Sequence, residues 1–422
     1  MNEPAGAPLL LAPIQLRSVT LPARLVVAPM CQYMADDGIA QPWHSIHIGT
    51  LACGGFGLVT MEATAVLREG RITPHCLGLW SDEHERALAQ VLRQVRAVAP
   101  DTPIGIQLAH AGRKASMHRP FLGGPRGVVA ESDGGWQPVG PSPIAFGAST
   151  NGGAAASAVS AVGASAASAG AGSASSAAPA RPAHPTPREL SIDELPGIAA
   201  AFVRAAERAA RLGFDYCEVH AAHGYLLSSF LSPLSNQRQD RYGGDLESRM
   251  RFPLEVVERV REAWPQDRPL GVRFGGSDWS DDGWSISDAC RFAAELVERG
   301  VDNLSVSTAG NAPVAPRSSP AWLAPHAKAI RDSIRDSIRD AGTSARAMPR
   351  ADRNASECRA VVTAVGELEQ PALAERVLAD GAADLIAVAR GALRDPRLPW
   401  RAARELGAAP RRVPPYAWAL GS

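Results

Sequence analysis

Short apolar runs recur along the chain at intervals that leave room for one helix between successive runs: 25–28, 56–61, 104–108, 214–219, 270–274, 301–306, 361–365 and 383–389. Each is strand-length and rich in β-branched or aromatic residues, the pattern of a strand buried on both faces in a parallel sheet. Amphipathic stretches lie between them. In 83–98, Leu88, Val91, Leu92 and Val95 share one helical face, Leu254, Val257 and Val260 do the same in 248–264, and the helical stretch 192–212 stops at Gly213. Eight such alternations predict a closed (β/α)8 barrel, an α/β fold, as one domain over 9–400. A doubly wound sheet is the weaker reading, because no Gly-x-Gly-x-x-Gly follows any strand.

Two segments interrupt the alternation. Within 147–187, residues 152–178 contain only Gly, Ala, Ser and Val, a composition that buries too little area to offset its ordering entropy, so a disordered surface loop is expected. The second is the tandem repeat from Ile330 to Asp340, Ile-Arg-Asp-Ser in register four. It predicts a lengthened helix with three isoleucines on one stripe and a charged outer face carrying Asp332/Arg335 and Asp336/Arg339 pairs. The segment 331–360 is read as this helix plus a polar insertion, and 401–422 as a tail.

Charge narrows the partners. Lys plus Arg (43) equal Asp plus Glu (43), so no net field draws nucleic acid or an anionic membrane, and a small-molecule partner fits. The six cysteines are scattered with no Cys-x-x-Cys, which speaks against disulfide, iron–sulfur and structural-zinc frameworks and suits a reducing cytoplasm. No run approaches the roughly 20 apolar residues of a membrane span.

Unusual residues gather where the strands end, the face on which a parallel barrel assembles its site. His220, His223 and Tyr225 follow the fourth strand. Neutral imidazoles can donate hydrogen bonds to an oxygen that gains charge, and a phenol with an ordinary pKa of about 10 can supply a proton. His220 and His223 are also a candidate metal pair for a barrel lyase or hydrolase, which needs a third ligand such as Glu218 or His110. Gly366, Ala389 and Arg390, ending strands seven and eight, suit a phosphate.

Five ordered motifs, 28–33 (APMCQY), 106–114 (IQLAHAGRK), 220–226 (HAAHGYL), 230–238 (FLSPLSNQR) and 240–244 (DRYGG), together resemble the Old Yellow Enzyme family of FMN-dependent ene-reductases. The resemblance is to the branch with an active-site cysteine, which includes xenobiotic reductases. It implies FMN on the carboxyl face of the barrel, NADPH or NADH as reductant, and an activated alkene or nitro compound as substrate. By the same resemblance Ala28, Pro29, Met30 and Cys31 line the flavin, with the thiol tuning its potential. Ala63 and Gln107 contact the ring, Arg273 stands by its N1/O2 edge, and Gly366, Ala389 and Arg390 hold the phosphate. His220 and His223 bind the substrate oxygen, Tyr33 touches substrate, and Tyr225 donates the proton. Hydride delivered from the nicotinamide reaches the alkene through the flavin. The chain departs from the family after Gly366, where Glu367 and Glu369 bring two carboxylates toward the phosphate. Family habit also implies a homo-oligomer, with Trp418 a candidate to reach a neighbouring site.

Overall fold

The computed structural model describes residues 8–120, 125–147, 184–313, 318–344, 360–411 and 416. The Ala/Ser/Gly stretch 152–178, the end of the polar insertion and Trp418 lie outside them.

Eight parallel strands close into a barrel: β1 (Leu25–Val27), β2 (Val59–Ala65), β3 (Ile104–Ala109), β4 (Tyr216–Ala221), β5 (Leu270–Gly275), β6 (Asn303–Ser307), β7 (Val361–Ala364) and β8 (Leu385–Val388). Each is followed by a helix: α1 (Pro42–Ala52), α2 (Asp82–Val98), α3 (Leu195–Leu212), α4 (Leu246–Ala263), α5 (Ile286–Glu298), α6 (Ala324–Ser344), α7 (Pro371–Ala379) and α8 (Leu398–Glu405). Closure runs through the β8–β1 pairing, Ile386 opposite Leu25 and Val388 opposite Val27. An antiparallel hairpin, Ile14–Leu16 with Val19–Leu21, precedes the barrel.

The helices attach by the faces their sequences mark. Leu88, Val91, Leu92 and Val95 of α2 are all buried, each stabilising the layer by roughly 2 kcal/mol. Ends follow local chemistry: Gly213 adopts φ 82° and terminates α3, and the Asp245 carboxylate accepts from the Ser248 amide to cap α4.

Two strands extend further toward their carboxyl ends than their apolar runs suggest. β2 continues through Glu62, Ala63 and Thr64, and β4 through His220 and Ala221, all of them buried. The polar residues are tolerated because each finds a partner: Glu62 accepts from the Gln32 amide at 2.9 Å and faces His44, Thr64 Oγ1 donates to Glu62 O at 2.8 Å, and His220 Nδ1 accepts from the Ala222 amide. The last helix likewise crosses residue 400, with Ala402 and Ala403 fully buried, so the barrel reaches beyond the expected tail boundary.

The repeat helix is longer than its repeat, and its charges are not all on the outside. Ile330 and Ile334 are buried as the stripe requires. Arg331, however, turns inward and forms a two-pronged pair with Asp384, at 2.6 and 3.1 Å, while Asp332 pairs with Lys328 one turn earlier. Asp384 also accepts from the Val362 amide at 3.0 Å, so one carboxylate ties α6 and β7 to the turn before β8. Asp384→Ala strands a largely buried guanidinium, and a loss of about 3–5 kcal/mol in urea unfolding is expected; a loss under 1 kcal/mol is the contrary result.

Candidate active site

The barrel interior carries two tiers of polar groups. In the lower tier Gln107 Nε2 donates to Glu218 Oε1 (2.7 Å), Tyr216 Oη to Glu218 Oε2 (3.0 Å), Asn303 Nδ2 to Tyr216 Oη (2.9 Å), and Thr363 Oγ1 to Asn303 Oδ1 (2.7 Å). All five residues are buried. Room for the phenol comes from two strand glycines: a Cβ at Gly271 would lie 1.8 Å from Tyr216 Oη, and one at Gly105 2.7 Å from its ring. Burial pushes the Glu218 carboxyl up, opposed first by Arg273 and then by the Gln107 and Tyr216 hydrogen bonds.

Strand register lifts the upper tier directly above. Ala63 is opposite Gln107 and Gln107 opposite Glu218, while two residues further along β4 His220 stands opposite Arg273, so the inward positions of β2 to β5 step up from the lower tier to the barrel mouth. A register shift in the β2–β3 ladder falls between Met61 and Ala63, just where Ala63 joins these positions. His220 is the penultimate residue of β4, His223 follows with φ 59°, and Tyr225 stands at the N-cap position of the short helix Leu226–Leu231. The three rings converge, with centroids 4.9 Å apart for His220–His223 and for His220–Tyr225, and 6.2 Å for His223–Tyr225.

The hydrogen bonds fix how the imidazoles carry their protons. The Ala222 amide donates to His220 Nδ1 (3.1 Å), which places the His220 proton on Nε2. That nitrogen faces His223 Nδ1 at 3.2 Å, leaving the His223 proton on Nε2, 2.8 Å from Ser307 Oγ. Both rings are held well below the ordinary imidazole pKa, chiefly by burial and next by Arg273. They are therefore two neutral donors.

Arg273 is buried, with one nitrogen 3.5 Å from Ser307 Oγ and its Nε without a hydrogen-bond partner. A buried guanidinium with an unused donor at the barrel mouth is a cation waiting for an electron-rich partner. Ala28 is buried on the β8 side, its amide bonded to Val388 O at 2.9 Å. Pro29, Met30, Cys31 and Tyr33 follow it on the half-buried loop after β1. The Cys31 thiol contacts the Ala63 backbone and the Tyr33 hydroxyl, and burial raises its pKa well above normal, so it is a thiol and not a thiolate.

Gly366, Ala389 and Arg390 occupy the ends of β7 and β8. Gly366 takes φ 115°, and a Cβ there would meet the Trp322 indole at 2.8 Å, a crevice that only glycine leaves open. The two carboxylates that follow do not stand free: Glu367 pairs with Arg390 at 3.1 Å and Glu369 with Arg394. Arg390, the expected phosphate ligand, is thus half-exposed and already engaged. The unused Arg273 donor, the glycine crevice and the uncharged belt of Ala63 and Gln107 together fit a flat, electron-accepting ring with an anionic tail.

A metal centre does not fit. Among the described residues no cluster of three His, Cys, Asp or Glu side chains could hold an ion. Glu218 is committed to Gln107 and Tyr216, and His110 Nδ1 accepts from the Gly112 amide. From the sequence alone Glu218 reads only as a metal ligand, and Ser307 and Lys114 carry no role. The signal available for Glu218 was its inward parity with His220, two residues on; Ser307 and Lys114 had none, since their partners come from distant strands.

The model of the NADH:flavin oxidoreductase / NADH oxidase family matches residues 9–408. An NADPH dehydrogenase of Geobacillus sp. (strain WCH70) is 36% identical over 401 residues, covering 94% of this chain and 95% of that protein. The NADPH dehydrogenase of Bacillus subtilis (strain 168) is 34% identical over 399 residues, with 94% and 95% covered. Among solved structures, morphinone reductase in complex with tetrahydroNAD superposes with a TM-score of 0.67 at 27% identity, covering 96% of this chain and 93% of that one.

The buried imidazoles carry a pH signature. They are neutral when folded but protonate near pH 6.5 when unfolded, so the unfolded chain binds more protons and stability falls as pH drops below about 6.5. His110, pushed down to about 4 by burial, accounts for roughly 3 kcal/mol of this loss between pH 6.5 and 4. Urea midpoints measured across that range should decline steeply and decline less in His110→Gln; an unchanged slope contradicts the assignment.

Proposed function

The chain belongs to the NADH:flavin oxidoreductase / NADH oxidase family and is an FMN-dependent, NAD(P)H-consuming oxidoreductase; from that premise we propose that it is an ene-reductase acting on alkenes conjugated to a carbonyl or nitro group. The observation that carries this reading is the convergence of His220, His223 and Tyr225 above the buried Arg273. When bound, FMN supplies the two-electron relay that takes hydride from the nicotinamide nucleotide and delivers it to the alkene.

The protein's own part is binding, polarisation and proton supply. A substrate oxygen entering over the belt competes with His223 Nδ1 for the His220 proton and with Ser307 Oγ for the His223 proton. Because both donors are neutral, they gain most as the oxygen becomes negative during reaction, which is where stabilisation accelerates the step. Tyr225 holds its proton firmly, its pKa raised well above normal by burial, and delivers it to the α-carbon as the charge collapses. Arg273 would stand by the N1/O2 edge of the ring, where its charge would favour electron uptake, and Gln107, locked by Glu218, would contact the ring. Ala28 to Cys31 and Ala63 would line the ring, Tyr33 would border substrate, and Gly366, Ala389 and Arg390 would hold the phosphate, Arg390 exchanging its Glu367 partner for it.

No helix among the described residues is long and apolar enough to cross a membrane. Five described cysteines are all free, in keeping with a reducing, cytoplasmic setting. Self-association, the habit of the resembling family, would appear as a sedimentation mass above the 44.3 kDa of one chain.

The purified protein is expected to show flavin absorption that bleaches with NADPH under anaerobic conditions and returns on adding 2-cyclohexenone. A colourless protein that takes up no FMN, or reduced flavin that the enone leaves reduced, contradicts the proposal. Tyr225→Phe should slow the enone step by about 100-fold or more while leaving bleaching by NADPH intact; equal loss in both half-reactions removes Tyr225 from the proton-donor role.

A further inference from the structure

His223 stands in a backbone conformation that a β-carbon-bearing residue rarely adopts, φ 59°, followed by Gly224 at φ 69°. Something outside the turn must hold it there. Part of the restraint is the β6 loop, whose Thr308 and Ala309 carbonyls accept from the His223 and Gly224 amides. The loops approach so closely that a Cβ at Gly224 would meet Gly310 O at 2.3 Å. The remainder comes from the loop after β3. Lys114 Nζ donates to His223 O at 2.6 Å and to Gly310 O at 2.8 Å, bridging both loops through two carbonyls.

The ammonium is in turn roofed by an aromatic ring. Lys114 Nζ lies 3.7 Å from the centroid of Phe146, and Arg113 lies 5.6 Å from the same ring, a cation–π arrangement that holds the amine over the carbonyls. Phe146 also meets His184 edge to face at 5.2 Å. Phe146 and His184 lie on either side of the Ala/Ser/Gly stretch 152–178 in sequence, so the described chain before and after that stretch meets at the ring that covers Lys114.

We infer that Lys114 is a positioning residue for His223, clamping the left-handed turn that aims the imidazole, and that Phe146 at the root of the insertion sets how firmly it does so. The inference deepens the proposed function, since it concerns the substrate-oxygen pair of that reading. The clamp acts on geometry through two short charge-assisted hydrogen bonds. It also adds a positive charge beside a ring already faced by His220 and Tyr225 from its own turn, Arg273 from β5 and the neutral Ser307 from β6.

The test uses the FMN-loaded enzyme with ¹⁵N-labelled histidine. Lys114→Met should displace the His223 ring signals, move their titration upward by about half a pH unit or more, and raise KM for 2-cyclohexenone about tenfold. Lys114→Arg, which keeps charge and donors, should restore most of each effect, and Phe146→Leu should give a smaller change in the same direction. Unmoved His223 signals in Lys114→Met overturn the inference, as does a fall in thermal stability with no site-specific shift. Should Lys114→Met fail to fold, Phe146→Leu decides in the same way. An enzyme that turns over no enone refutes the functional reading while the ring signals still decide the clamp.

Discussion

A carboxylate sealed inside a closed barrel must be answered from every side, and that requirement organises this molecule. Glu218 reaches its partners only because Gln107 is its register neighbour on β3 and Tyr216 lies two residues earlier on its own strand. Leaving any of these groups buried and unpaired would cost on the order of 1–3 kcal/mol each, more for the charge. The network therefore fixes strand register as firmly as the apolar layers do. It sets Gln107 and Arg273 at defined heights under the mouth of the barrel, where the proposed site lies.

From that base the site is built upward by parity. Tyr216, Glu218 and His220 alternate with the apolar Cys217, Val219 and Ala221, so one strand supplies the barrel floor, the buried charge and the first imidazole. The second imidazole needs a different device, because the strand has ended. Its left-handed turn places His223 Nδ1 3.2 Å from His220 Nε2, and the resulting chain fixes both tautomers, while burial and then Arg273 keep both rings neutral. Neutrality matters because the rings lie near a guanidinium; two imidazolium rings beside Arg273 would repel it and each other.

The ends of β7 and β8, proposed to hold the phosphate, follow another logic. Carboxylates after Gly366 conflict on paper with an anionic ligand, yet each is matched by an arginine, Arg390 or Arg394, of the short helix Arg390–Arg394 between β8 and α8. These pairs are partly exposed and individually weak, so an incoming dianion can exchange with Glu367 for Arg390 at modest cost.

The sequence by itself determined the number and kind of elements, since eight apolar runs separated by amphipathic stretches leave few ways to bury both faces of a parallel sheet. It also marked the ends of those strands as the place of chemistry, through residues such as Cys31, His220 and Tyr225 that apolar packing does not call for. Strand limits were legible only to within a few residues, because Glu62 and His220 read as strand ends until the neighbouring loops supply their partners, the Gln32 amide for Glu62 and the Ala222 amide for His220. The inward Arg331 of the repeat helix was not legible, because its carboxylate, Asp384, lies 53 residues away. Nor were Lys114 and Ser307, whose roles exist only where the loops of β3, β4 and β6 meet. Periodicity is a local property and survives in the sequence; hydrogen-bond partnership across a closed barrel depends on register and is decided when the last strand pairs with the first.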